Sequence, residues 1–265
     1  MFTKYRKGGT MGIKTIQQLV EQEKGKSLQE TTTRGQKYLT SKLETSNLEI
    51  ETYYYDAREY LKGKYYNLST IEPDLHKKTF DNAKTLNDKE KAHKESFQRY
   101  CNNFGELSKK GLGILLMGKK GTGKSYYADC IFNELSPKYA VYRSTISFMF
   151  QRFKNTYNPN SKITIIDLIK ELKECDLIIL DDVGSENISE EWGEENIYNL
   201  INFLTTNNVS IIISSNLSTN DLRNHLSVKK DDKILDRIRE KCKLFVFDWE
   251  SRRGETYKKE FEELY

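Results

Sequence analysis

Eight consecutive residues carry the clearest chemistry in the chain. Gly118-Lys119-Lys120-Gly121-Thr122-Gly123-Lys124-Ser125 fills every fixed position of the pattern G-x-x-x-x-G-K-[ST]. The apolar run Gly113 to Met117 precedes it and a helical pattern starts at Lys124, so the context is strand, turn, helix. Glycines at 118, 121 and 123, with Thr122 between, let the backbone wrap until successive N–H groups face inward, and the helix start adds its positive dipole end. Such a cradle suits a polyphosphate: Lys124 is expected to reach the β- and γ-phosphates and Ser125 to ligate Mg²⁺. Glycine-rich turns also join strands to helices for steric reasons alone, so an independent signal is required.

That signal lies 57 residues beyond Lys124, where Leu177-Ile178-Ile179-Leu180 runs into Asp181-Asp182. A buried strand of this kind delivers Asp181 to the carboxyl edge of a sheet, beside the phosphate loop, to hold the Mg²⁺ shell. Asp182 then turns to the neighbouring side, suited to orienting or deprotonating an attacking water. The pair of motifs predicts ATP or GTP bound with Mg²⁺. A third apolar run, Val209 to Ser214, ends in Ser214-Ser215-Asn216, and the Asn216 amide is a candidate partner for the γ-phosphate or the water. Asp236-Arg237-Ile238-Arg239 and Trp249-Glu250-Ser251-Arg252-Arg253 supply arginines farther on; arginines of this kind are usually solvated surface charges.

The elements that must position these residues are legible from Leu112 onward. Short β-branched runs (LGILLMG, KYAVYRS, CDLIILDD, VSIIISSN, CKLFVFDW) alternate with helical patterns from Lys124, through 146 to 156, 163 to 174, Glu194 to Thr205 and 229 to 241. Continuous apolar strands alternating with helices predict an α/β fold with a parallel sheet covered on both faces. Asn87 reads as the N-cap of a helix running to Gly105. Pro73 marks a break, which puts a domain boundary near residue 70. Residues 1–70 read as a helical region: Ile13, Ile16, Leu19 and Val20, then Leu48, Tyr55, Tyr60 and Leu61, recur at three- and four-residue spacing, around a mobile linker GKSLQETTTRGQ. Residues 71–265 form the second domain.

Composition excludes several classes. Of 265 residues 31% are charged and 37% hydrophobic, and no apolar run approaches the roughly 18 residues of a membrane span. The N-terminus has no apolar block of the secretory kind, and the four cysteines, Cys101, Cys130, Cys175 and Cys242, lack metal-ligand spacing. Buried reduced thiols in a cytoplasmic protein without a membrane partner are expected. A net charge of +4 implies nucleic-acid binding only through a local surface. Tyr142, Arg143, Phe148, Phe150, Arg152, Phe153, Lys154 and Tyr157 interleave aromatic and basic side chains, a pattern that fits single-stranded DNA and equally a core-facing helix.

The order of GKKGTGKS, LIILDDVGSE, a strand ending SSN, DRI and a strand running into WESRR resembles the AAA+ ATPases of the bacterial and phage DnaC/DnaI helicase-loader and IstB group, over about residues 71–265. IEPDLHKKTFDNA is similar to that group's base-binding lead-in, and DDVGSE followed by Trp192 resembles its DDxGxE segment. The resemblance implies a phosphate-loop AAA+ three-layer fold with a central five-stranded parallel sheet, ATP and Mg²⁺ as cofactors, and ATP hydrolysis. It implies that Asn216 is the sensor of the γ-phosphate and Arg237 the arginine finger, with Arg239 as a rival; Arg253 would be the second sensor, with Arg252 as a rival. A finger acts on a neighbouring subunit, so a homo-oligomer is implied. The implied partners are a DnaB-type replicative helicase, gripped through the N-terminal region with Tyr53, Tyr54, Tyr55, Tyr65 and Tyr66 as candidate surface, and single-stranded DNA. Two alternatives share the same core: an IstB-like helper of a DNA transposase, and a nucleotide-binding adaptor that does not turn over. Three departures stand out. Asp182 occupies the position where most AAA+ proteins carry Glu, twelve residues follow Arg253, which is too few for a full helical lid, and residues 1–70 contain no Cys or His for a zinc module.

Overall fold

A computed structural model of the chain describes residues 4–6, 9–11, 27–33, 36–42, 52–55, 57–185, 190–226 and 233–252. The chain divides into two units, Met1–Lys64 and Tyr65–Tyr265. In the first, strands β1 (Lys4–Arg6) and β2 (Gly9–Met11) pair antiparallel, and β3 (Ser27–Thr33), β4 (Gln36–Lys42) and β5 (Thr52–Tyr55) form a three-stranded antiparallel sheet. Helix α1 (Ala57–Leu68) follows.

This corrects the expectation of an all-helical region with a mobile linker. Thr31-Thr32-Thr33, in the segment read as linker, and Tyr53-Tyr54-Tyr55, in the segment read as helix, are β-branched and aromatic runs, and they pair as strands. Residues 13–20 lie outside the described residues. The division falls between Lys64 and Tyr65 because Tyr65 is fully buried in the second unit, its hydroxyl donating to Glu171 O at 2.5 Å. Tyr65 is therefore not available as exposed partner surface.

The second unit opens with α2 (Asp88–Asn102) and α3 (Phe104–Lys109). The Asn87 side chain accepts from Glu90 N at 2.8 Å, the N-cap read from the sequence. Gly105 does not end a helix; it sits in the first turn of α3, where even a Cβ would lie 3.2 Å from the Tyr139 hydroxyl. Strands β6 (Gly113–Gly118), β7 (Val141–Thr145), β8 (Leu177–Val183), β9 (Ser210–Ser215) and β10 (Cys242–Phe247) form one parallel sheet in the order β10-β6-β9-β8-β7. The connecting helices are α4 (Lys124–Leu135), α5 (Ile146–Asn155), α6 (Ile165–Glu171), α7 (Glu190–Thr206), α8 (Thr219–Leu226) and α9 (Lys233–Lys241).

Alternation along each strand divides the apolar side chains between two faces. Ile114, Leu116, Ile179, Ile212, Phe245 and Phe247 pack with Phe97, Phe104, Ile131 and Phe132 of α2, α3 and α4 in one core. Leu115, Ile178, Leu180, Ile211 and Ile213 take the other parity and are also buried, and α7 packs on β9 and on α9. Both faces are therefore covered, as near-continuous apolar strands demand. The four cysteines are free and buried, and burial pushes the thiols of Cys101, Cys130 and Cys242 up to about 12. Among the described residues no helix is long and apolar enough to cross a membrane.

His93 on α2 is ringed by Phe97, Phe245, Phe247 and Trp249, with ring centroids 5.1 to 6.2 Å away, and its Nδ1 donates to Lys89 O at 2.7 Å. Burial lowers its pKa; the hydrogen bond to the Lys89 carbonyl and the Asp248 charge oppose this, while the Lys89 ammonium adds to it. A depressed folded pKa means stability that is complete above the unfolded value of about 6.5 and is lost as pH falls through the folded one. Urea unfolding should thus show a stability loss on acidification below about pH 6.5, and His93→Phe, which retains an aromatic ring in the cage, should flatten that part of the profile.

Candidate nucleotide site

The phosphate loop lies between β6 and α4, and its glycines are required by backbone geometry. Gly118 has φ +147°, and a Cβ there would meet Phe247 O at 2.1 Å, so the loop leaves the sheet pressed against the end of β10. Gly123, at the N-cap of α4, has φ +99°, a conformation that an L side chain resists. Thr122 is fully buried and its hydroxyl donates to Lys119 O at 2.8 Å, closing the loop on itself.

Lys124 is 5% exposed and its Nζ donates to Gly118 O and Lys119 O at 2.8 Å each and to Asn216 Oδ1 at 2.7 Å. Ser125 Oγ donates to Asp181 Oδ1 at 3.0 Å. Residues 56 positions apart in sequence thus meet between the loop and the end of β8. Asp182 has φ +57° where the pairing of β8 with β9 shifts register between Leu180 and Val183, so its side chain turns out of the strand pattern. Its Oδ1 accepts from Asn216 Nδ2 at 3.1 Å. Asn216 therefore bridges Lys124 on one side and Asp182 on the other, and the amide expected to read a γ-phosphate sits between the loop cation and the candidate base.

Three further groups belong to the site in roles that the sequence did not indicate. Ser214, buried on β9, donates to Asp181 Oδ1 and accepts from Asp182 N at 3.0 Å, so one hydroxyl ties both carboxylate residues to the neighbouring strand. The Ser-Ser-Asn ending was the available signal, but only register decides that Ser214 meets Asp181 while Ser215 Oγ donates to Val183 O at 2.7 Å. Arg143, read as a DNA contact, is 1% exposed: its Nε pairs with Asp129, its Nη1 donates to Thr70 O at 2.9 Å, and its Nη2 lies 3.7 Å from Asp181 Oδ2. Asp129 also takes Lys78 at 3.0 Å. Burial raises the Asp129 pKa while Arg143 and Lys78 oppose it; burial draws Lys78 down, but Glu72 and Asp129 outweigh this and raise it. Finally, Trp249 Nε1 donates to Thr122 O and Arg252 N to Gly121 O, both at 2.9 Å.

Of the arginines expected to complete the site, three lie among the described residues. Arg237 and Arg239 stand exposed on α9, with Arg239 Nη1 3.9 Å from Asp236. The Arg252 guanidinium pairs with buried Glu90 and donates to Lys84 O at 2.9 Å. Arg253, Lys229 and Lys230 lie outside the described residues. Of the stretch expected to touch DNA, Tyr142 and Arg143 are buried on β7, and Phe150 and Phe153 on the buried face of α5; Phe148, Lys154 and Tyr157 face solvent. Trp192 Nε1 donates to the Tyr157 hydroxyl at 2.9 Å, and Lys154 lies over the Trp192 ring.

The donor set fits Mg²⁺ with a triphosphate. Ser125 and Asp181 offer hard oxygens 3.0 Å apart beside a loop cation, and Mg²⁺ is commonly held by one or two such groups plus phosphate oxygens. No cluster of three His, Cys, Asp or Glu side chains able to hold an ion by itself occurs among the described residues.

A parallel five-stranded sheet with its phosphate loop after β6, an acidic pair ending β8 and an amide following β9 defines a phosphate-loop nucleotide-binding protein of the AAA+ class. The chain belongs to the IstB-like ATP binding protein family, whose profile matches residues 70–260. It is 27% identical over 178 residues to a protein of Buchnera aphidicola (strain APS) named replicative helicase loader DnaC, covering 66% of this chain and 69% of that one. It is 25% identical over 191 residues to the replicative helicase loader DnaI of Bacillus subtilis, covering 69% of this chain and 60% of that one. A crystal structure of the DnaC helicase loader superposes with a TM-score of 0.56 at 22% identity over 66% of this chain and 99% of that chain, which shows a shared fold.

Proposed function

We propose that the protein is an ATP-dependent loader that delivers a ring-shaped replicative helicase to single-stranded DNA. The observation that carries the nucleotide half of this reading is the meeting of Lys124, Ser125, Asp181 and Asn216 in one hydrogen-bonded group, linked through Asp182 and Ser214. The loop amides and Lys124 would hold the β- and γ-phosphates, and Ser125 and Asp181 would hold Mg²⁺. Bound Mg²⁺-ATP would supply the electrophilic phosphorus and charge neutralisation that hydrolysis needs. Asp182, held by Asn216, is then the base that orients water, and Asn216 the sensor. A shorter carboxylate than Glu reaches less far toward that water, in keeping with slow turnover and with ATP acting chiefly as an assembly switch.

Support for the loader half comes from the names of the relatives at 25–27% identity. The exposure of Arg237 on α9 suits a finger offered to a neighbouring copy in a homo-oligomer, with Arg239 as the other candidate. Exposed Phe148, Lys154 and Tyr157 combine aromatic faces with a cation, the chemistry that single-stranded DNA selects. Residues 1–70 are assigned to grip the helicase, and Arg253 to the second sensor.

A helper of a DNA transposase is the second reading, favoured by the IstB-like family match itself. Affinity capture from the native cell with ATP present separates the two. Recovery of a hexameric helicase, together with preference for single-stranded over duplex DNA in a binding assay, is expected; recovery of a transposase with duplex preference would reject the loader reading.

A further inference from the structure

We propose that Trp249 is a positioning residue for the phosphate loop: its indole N–H locks the peptide between Thr122 and Gly123 so that the Gly123 amide faces the phosphates. The proposal rests on the nucleotide reading above and goes beyond it, to the question of what holds the amides in their aim.

The carbonyls of the loop are taken by two sets of donors. Lys124 Nζ takes Gly118 O and Lys119 O. Gly121 O and Thr122 O are taken by the segment that follows β10, through Arg252 N and Trp249 Nε1 at 2.9 Å each. No peptide here is cis, and in a trans peptide the C=O and the following N–H point in opposite directions. Holding the Gly121 and Thr122 carbonyls toward this segment therefore aims the N–H groups of Thr122 and Gly123 the other way. These are the amides immediately before α4, where an anion meets the positive end of the helix.

A clamp is effective only if it is itself anchored. The Trp249 ring packs against Phe247 and His93 with centroids 4.8 and 5.6 Å away. Arg252 pairs with Glu90, a fully buried carboxylate that also accepts from Leu86 N at 2.9 Å and from the Tyr127 hydroxyl at 3.2 Å. Tyr127 belongs to α4, so the segment is tied to α2 and to the helix that starts at the loop. Trp249 is the member of this clamp whose donor can be removed while an aromatic ring is kept.

The test compares wild type, Trp249→Phe, and replacement of Trp249 by β-(3-benzothienyl)alanine, which keeps the bicyclic ring and exchanges N–H for sulfur. Titration with mant-ADP is run with Mg²⁺ and again in EDTA. Both replacements should weaken binding about fivefold to tenfold, the worth of one hydrogen bond. The loss should be the same with and without metal, because the amide meets phosphate and not the ion. A role confined to packing would leave the benzothienyl protein at wild-type affinity, and that result overturns the proposal. Wild-type affinity in both replacements overturns the clamp and leaves the nucleotide site standing; wild type that binds no mant-ADP overturns both. In a Trp192→Phe background Trp249 is the sole tryptophan, and its emission should shift on adding ADP in EDTA; an unchanged spectrum at saturating ADP counts against the proposal.

Discussion

Replacing Lys124 by alanine is expected to cut ATP and ADP affinity by about a hundredfold or more while the apo protein stays folded. The side chain is nearly buried, and its ammonium donates to the carbonyls of Gly118 and Lys119 and to the amide oxygen of Asn216. A cation held at the mouth of a ring of amides is poised for phosphate oxygens. Charge-assisted hydrogen bonds contribute about 1.5–3 kcal/mol each, so losing contacts to two phosphates removes about 3–5 kcal/mol, at least a hundredfold in affinity. Folding should be little affected, because Lys119 O retains the Thr122 hydroxyl and the strand and helix on either side are untouched. Calorimetric titration of Lys124→Ala measures this; submicromolar affinity equal to wild type would remove the phosphate loop from the nucleotide reading.

The second large effect belongs to stability. Arg143→Met should destabilise the protein by about 3 kcal/mol at pH 7, the lower end of the range for breaking a buried ion pair. Asp129 has no solvent exposure, and without Arg143 its charge is balanced only by Lys78. The Thr70 carbonyl also loses its donor and Asp181 a cation at 3.7 Å. Asp129→Asn in the same chain should recover a large part of the loss, because a neutral amide no longer demands a counter-charge. The pH dependence has a definite sign. Burial already raises the Asp129 pKa above its unfolded value, and removing Arg143 removes a group that opposes the rise. A raised folded pKa contributes stability that is present below the unfolded pKa of about 3.9 and lost as pH rises through the folded one. The deficit of Arg143→Met should therefore be largest at neutral pH and shrink as Asp129 takes a proton on acidification. Urea unfolding at several pH values reads both the deficit and its slope; a deficit that grows toward acid would show that Asp129 is not the group left exposed by the substitution.

The loop from Gly118 to Ser125 was legible because its chemistry is contiguous: the spacing of glycines, lysine and serine is itself the local geometry. Asp181 and Asn216 were legible because an apolar run followed by a polar residue marks the end of a buried parallel strand, and in such a sheet all strand ends meet on one edge. The first unit was misread because threonine and tyrosine runs look polar or helical by spacing, while their branched and aromatic side chains suit paired strands. For Arg143 the sequence leaves a DNA contact and a core position both open; the packing of Asp129 and Lys78 around it is what makes its burial tolerable.

Local order along the chain was enough to determine the sheet-and-helix class, the phosphate loop and the strand-end carboxylate, because each is encoded within a few neighbouring residues. Tertiary structure alone decided that Asn216 joins Lys124 to Asp182, that Ser214 rather than Ser215 touches Asp181, and that Trp249 and Arg252 grip the loop. Those contacts join residues 33 to 131 positions apart in sequence; the pairing register of β8 and β9 and the passage of β10 behind the loop bring them within hydrogen-bond reach, and no spacing rule along a chain carries that information.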